Sequence, residues 1–205
     1  MPACLFLLLS FPATAQDWPR FRGPNGSGLA SPTTLPTQWT TKDYLWKVPL
    51  PGPGHTTPVR WKDRLFITSC DPESAKRIVL CLNASDGSLL WKREFPSLAY
   101  RQHADNSYAS STPAVDEHRL YLTWTTPDEC ALLALDHDGK DVWKLNLGRY
   151  TSQHGSGVSP ILFEGLVILT NDQEGLESFI IAVECETGQV RWKTPRKSSS
   201  MAAST

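Results

Sequence analysis

The sequence has no Cys-x-x-Cys, no two adjacent cysteines and no run of basic residues longer than two. It also has no apolar run long enough to cross a bilayer and no extended stretch of helical periodicity. Each absence removes a class. Without paired cysteines, a zinc ribbon or a dithiol redox centre lacks its ligand spacing. With 20 Lys and Arg against 21 Asp and Glu, and no basic stripe, there is no electrostatic footprint for nucleic acid. The P-loop, the G-x-S-x-G nucleophile elbow and H-E-x-x-H are all missing, so no catalytic residue is expected from these motifs.

What is present points to β structure. Eight Trp and 16 Pro, with turn-rich connections such as "DPESAK", "TPDE" and "NDQEGLE", fit short strands and frequent turns. Residues 1–15, "MPACLFLLLSFPATA", read as a signal peptide: Leu5 to Phe11 form the apolar core and Ala13-Thr14-Ala15 the small-residue cleavage pattern. The apolar core is shorter than the roughly 20 residues of a membrane span, so the chain is expected to be exported, to the periplasm or outside the cell, and not membrane-spanning. Cys70, Cys81, Cys130 and Cys185 would remain after cleavage. Their scattered positions read as small buried hydrophobes, with room for one bridge in an oxidising compartment.

The chain repeats itself. "NASDGSLLWK", "LDHDGKDVWK" and "ECETGQVRWK" align, with Gly87/Trp91, Gly139/Trp143 and Gly188/Trp192 each four residues apart. Upstream, Pro58, Pro113 and Pro160 precede these tryptophans by 33, 30 and 32 residues. Trp46, in "YLWKV", extends the series, and successive Trp spacings are 45, 52 and 49 residues. A period near fifty belongs to propellers and solenoids. Each unit holds four short strands, as in Thr112–Val115, Arg119–Trp124, Ala131–Leu135 and Asp141–Leu145. The first unit places strands at Leu65–Ser69, Ile78–Leu82 and Ser88–Lys92, and the third at Leu166–Thr170, Phe179–Val183 and Gln189–Lys193. Their apolar runs occupy successive positions, which predicts sheets covered on both faces. The Gly serves a tight reversal before the last strand, and the Trp buries a large area against the neighbouring unit.

At these residues the sequence resembles the pyrroloquinoline-quinone (PQQ) repeat β-propellers, whose tryptophan-docking motif is A-x-D-x-x-T-G-x-x-x-W. "ALDHDGKDVW" and "AVECETGQVRW" look like two instances of it, with a looser third from Leu82 to Trp91. "DWPRFRGPNGSG" also looks like the opening of secreted, BamB-like members. No Trp-Asp and no Gly-Gly dipeptide occurs, which disfavours WD and kelch propellers. The resemblance implies an all-β propeller of four-stranded antiparallel blades. Residues 16–45 would lead in and residues 46–205 would form about three blades with partial ends of a seven- or eight-bladed ring, so the chain is expected to be a fragment.

For function, the resemblance implies two alternatives. The first is an exported, non-catalytic binding or scaffolding module with a protein partner in the cell envelope, similar to the outer-membrane β-barrel assembly scaffold. It needs no cofactor. The second is part of a quinoprotein alcohol dehydrogenase, which would use PQQ and calcium. The candidate site is the channel mouth. "YRQHADNSYASSTP" and "YTSQHGSGVSP" place Tyr100, Gln102, His103, Asn106, Tyr150, Gln153 and His154 in the connections between units, with His55 before the first. His103, Asn106 and His154 read either as walls of a polar ligand site or as side chains that brace loops. Asp136, Asp138 and Gly139 open like a calcium loop, but Leu147 stands at the twelfth position, where an EF-hand needs glutamate. That stretch reads as a turn, and no metal is expected there.

Overall fold

Each Gly-Trp unit closes one antiparallel meander. The structure is a computed structural model describing residues 16–30, 36–174 and 177–196; the expected signal peptide lies outside them. The first sheet comprises β1 (Val59–Trp61), β2 (Arg64–Cys70), β3 (Arg77–Asn83) and β4 (Leu89–Phe95). The second comprises β5 (Ala114–Val115), β6 (Arg119–Thr126), β7 (Glu129–Asp136) and β8 (Asp141–Asn146). The third comprises β9 (Ile161–Phe163), β10 (Leu166–Asn171), β11 (Phe179–Glu184) and β12 (Val190–Pro195). Within each, strands pair with their sequence neighbours in order, which makes three propeller blades.

The first strand of every blade starts at the residue after the repeat proline: Val59 after Pro58, Ala114 after Pro113 and Ile161 after Pro160. The sequence reading had placed Pro113 inside a strand from Thr112. Proline cannot donate to a ladder, and Thr112 is engaged elsewhere: its amide donates to Ser159 Oγ and its hydroxyl accepts from Thr57 N, both at 3.0 Å. The strand therefore shortens to two residues.

Burial on successive positions holds where a blade has two neighbours. In β7, six consecutive residues, Cys130 to Leu135, are buried. Blade one packs on blade two through Phe66, Val79 and Cys81 against Leu120, Leu122, Leu133 and Leu135. Blade two packs on blade three through Tyr121, Leu132 and Ala134 against Val167, Leu169, Ile181 and Val183. In β10 burial instead alternates, because only one face of the third blade is covered. The far face of blade one meets Val48, from the segment carrying Trp46.

The docking is the same at each junction. Trp46 Nε1 donates to Ala84 O at 3.2 Å, Trp91 Nε1 to His137 O at 2.7 Å and Trp143 Nε1 to Cys185 O at 3.0 Å. Each indole lies over the turn glycine of the next unit. A Cβ on Gly87, Gly139 or Gly188 would come within 2.6, 3.0 and 2.8 Å of Trp46, Trp91 and Trp143. All three glycines also hold φ between +72° and +80°, a region that L side chains rarely adopt. The acidic start of the 136–140 turn is used internally: Asp136 Oδ1 accepts from the amides of Asp138 (2.9 Å) and Lys140 (2.8 Å). Cys70, Cys81, Cys130 and Cys185 are all free and buried, with no bridge among them. Burial pushes the thiol of Cys81 up to about 11 and that of Cys130 up to about 12, so both stay protonated and unreactive at neutral pH.

Candidate functional site at the linker face

The connections between blades, residues 96–113 and 147–160, bring the predicted residues together. His103 N and Asn106 Nδ2 both donate to His154 O, at 3.5 and 2.5 Å. The imidazole rings of His103 and His154 lie 5.4 Å apart, tilted by 46°. Asn106 is committed to the protein. Its Oδ1 accepts from Ser107 N at 2.8 Å and from the Ser110 hydroxyl, and its amide donates to His103 O at 3.0 Å. It holds the two connections to each other. Gly155 makes this approach feasible, since a Cβ there would sit 2.7 Å from Asn106 Nδ2.

The two histidine rings differ from Asn106 in being available. His103 is half-exposed, and its Nδ1 accepts from Asp105 N at 3.2 Å. The tyrosines brace the loops. Tyr108 OH donates to Tyr100 O at 2.9 Å, and the largely buried Tyr150 donates to Asp172 O at 3.2 Å. His55 is exposed, held by its amide to Ala109 O at 2.9 Å.

A second part of this face has no counterpart in the repeats. Trp18 exchanges backbone hydrogen bonds with Arg60 of β1 at 2.9 and 3.0 Å, and Pro19 O accepts from Val115 N of β5 at 2.8 Å. The N-terminal segment therefore runs across the first strands of two blades. Gly23, at φ +76°, lets the chain fold back over the Trp18 indole, 2.9 Å from where a Cβ would stand. This turn brings Arg20, Phe21 and Arg22 beside His55, Asp105 and Asn106 in an open cleft of about 580 Å³. Its apolar lining is Val158, Ile161, Ile168 and Ile180. Sequence reading recognised "DWPRFRGPNGSG" but not its position, because a segment outside the repeat carries no periodic signal. Trp18 followed five residues later by a glycine was the available clue.

Among the described residues, no three His, Cys, Asp or Glu side chains converge as metal ligands. Trp124, the strand tryptophan outside the docking positions and Trp61, packs against Phe95 at 5.1 Å inside the first interblade core.

Several solved structures share the fold. The quinohemoprotein alcohol dehydrogenase ADHIIG from Pseudomonas putida HK5 superposes with a TM-score of 0.52 at 20% identity, covering 73% of this chain and 22% of that one. The quinohemoprotein alcohol dehydrogenase from Comamonas testosteroni gives a TM-score of 0.50 at 22% identity, covering 69% and 21%. A europium-containing methanol dehydrogenase gives 0.50 at 18% identity, covering 66% and 23%. The chain thus spans between a fifth and a quarter of these enzymes, and at such identities the likeness shows the fold alone. No curated protein sequence matches it. Residues 38–204 match the family described as outer membrane protein assembly factor BamB, and the chain, with its three Trp-docked blades, belongs to that family.

Proposed function

We propose that this chain is part of an exported, non-catalytic propeller that binds a protein partner of the cell envelope at the linker face. The observation that carries the reading is the cleft. Arg20 and Arg22, with His55 and a single carboxylate, Asp105, line it together with Val158 and three isoleucines, and it is open to solvent. Such a surface fits an extended partner segment that alternates acidic and apolar side chains: the cations steer and select, and the apolar wall supplies buried area. Family membership supports the same class of role.

The test is capture from a solubilised envelope fraction by the wild-type chain and by the double variant Arg20→Glu/Arg22→Glu. The reading expects one envelope protein retained at low salt, lost with rising salt and reduced at least about tenfold by the charge reversal. It fails if both chains retain the same proteins, or if PQQ with calcium raises the melting temperature and supports dye-linked alcohol oxidation. Export is checked separately, by N-terminal sequencing of the mature protein, which should begin at Gln16.

A further inference from the structure

An uncompensated charge is buried between the first two blades. Arg77, at the start of β3, is only 4% exposed. Its Nη2 donates to Thr125 O at 2.9 Å, and its guanidinium stacks over the Tyr108 ring at 5.2 Å. Its Nε has no partner. Among the described residues it makes no ion pair. Burial is the main influence on its pKa, lowering it, and the groups that act on it besides are Tyr100, Cys70 and Tyr108, none of them a carboxylate. A guanidinium does not escape by deprotonation. A buried cation without a partner carries a penalty of several kcal/mol, which an anion beside it would offset.

The surroundings show where it belongs. Arg77 lines a cavity of about 20 Å³ together with Thr68, Ser111, Tyr100 and Tyr108. Thr68 Oγ1 and Ser111 Oγ are also buried without a hydrogen-bond partner. Three of the residues that line this one small space thus carry an unpartnered donor, one of them a guanidinium, and no carboxylate is among the residues that line it. A space of this size holds a single water-sized particle, which excludes carboxylates, phosphate and sulfate.

We propose that this cavity is a structural halide site, in which one chloride ion accepts from Arg77, Thr68 and Ser111 and neutralises the charge between blades one and two. The ion locks the blade junction from the linker side, opposite the turn that docks Trp91.

The test compares melting temperatures of the wild-type chain in sodium chloride, sodium bromide and sodium gluconate at equal ionic strength. Ligation to the folded state alone predicts a rise of roughly 2–4 °C in the halides. Arg77→Met should abolish that difference, and Thr68→Val, which keeps the charge, should reduce it. If Arg77→Met fails to fold, the wild-type salt series and Thr68→Val still decide. A bromide-grown crystal should show an anomalous peak beside Arg77 Nε. Equal melting temperatures in all three salts would overturn the proposal. So would a cavity holding only water, and so would a bromide peak without any halide effect in solution, which would mark an adventitious ion only.

Discussion

The two ends of the blades follow different rules. At the turn end, one arrangement recurs three times: an indole over a left-handed glycine, donating to a carbonyl of the same turn. At the linker end one contact recurs, the amide before a repeat proline donating to the hydroxyl before the next (Thr57 to Thr112, Thr112 to Ser159), but the side chains beyond it differ. The first connection uses Asn106 as a brace, the second offers Gly155 to receive it, and the N-terminal segment adds a strand-edge contact found nowhere else among the described residues. Repetition at one end satisfies a constraint common to every junction, the covering of two apolar faces. Variation at the other end leaves side chains free to differ, and there the cationic cleft and the buried Arg77 are found.

That contrast can be broken by substitution. Trp91→Ala removes both the packing on Gly139 and the hydrogen bond to His137, and should destabilise by about 3 kcal/mol in urea unfolding. The same change at Trp192, 39% exposed and docked on no described glycine, should cost under about 1 kcal/mol in this chain. Equal losses would mean that the indoles do not work by docking. Glycines sharpen the point. Gly139→Ala combines φ strain with a clash and should cost about 2 kcal/mol or more, whereas Gly148→Ala, at φ +104° with open space around it, should cost only about 1 kcal/mol.

At the linker end the losses should be smaller and selective. Asn106→Ala should cost about 1 kcal/mol through its hydrogen bonds, and His103→Ala within about 0.5 kcal/mol, because the exposed imidazole ties down little. The smallest effect is electrostatic. Lys76 and Lys92 hold the Glu94 carboxyl down from 4.5 to about 2. A depressed carboxylate stabilises fully above its unfolded value, so this contribution is present above about pH 4.5 and fades as pH falls to about 2. Glu94→Gln should flatten the stability profile across that window, its small loss being present at neutral pH and vanishing as pH falls to about 2.

Much of this was legible in the sequence, for an identifiable reason. Strand positions came within a few residues because Gly87, Gly139 and Gly188 repeat beside their tryptophans, and the repeat fixes the period of the fold. The proline was misplaced by one step because Pro113 looks apolar in a composition pattern, while its missing N–H matters only once ladders are drawn. His103, Asn106 and His154 were singled out together and do meet, but Asn106 serves as a brace, through bonds to backbone that no side-chain pattern reveals. The N-terminal contact across β1 and β5 and the Arg77 cavity were invisible. Both depend on residues far apart in sequence, and Arg77 reads in one dimension as an ordinary surface charge beside Lys76.

The central claim is that each tryptophan and the glycine of the next unit form one interlock. A double-mutant cycle between Trp91→Ala and Gly139→Ala, followed by urea unfolding, tests it most directly. If the two interlock, the Gly139→Ala penalty should shrink in the Trp91→Ala background to that of Gly148→Ala, a coupling of about 1 kcal/mol or more. Strict additivity of the two losses would contradict it.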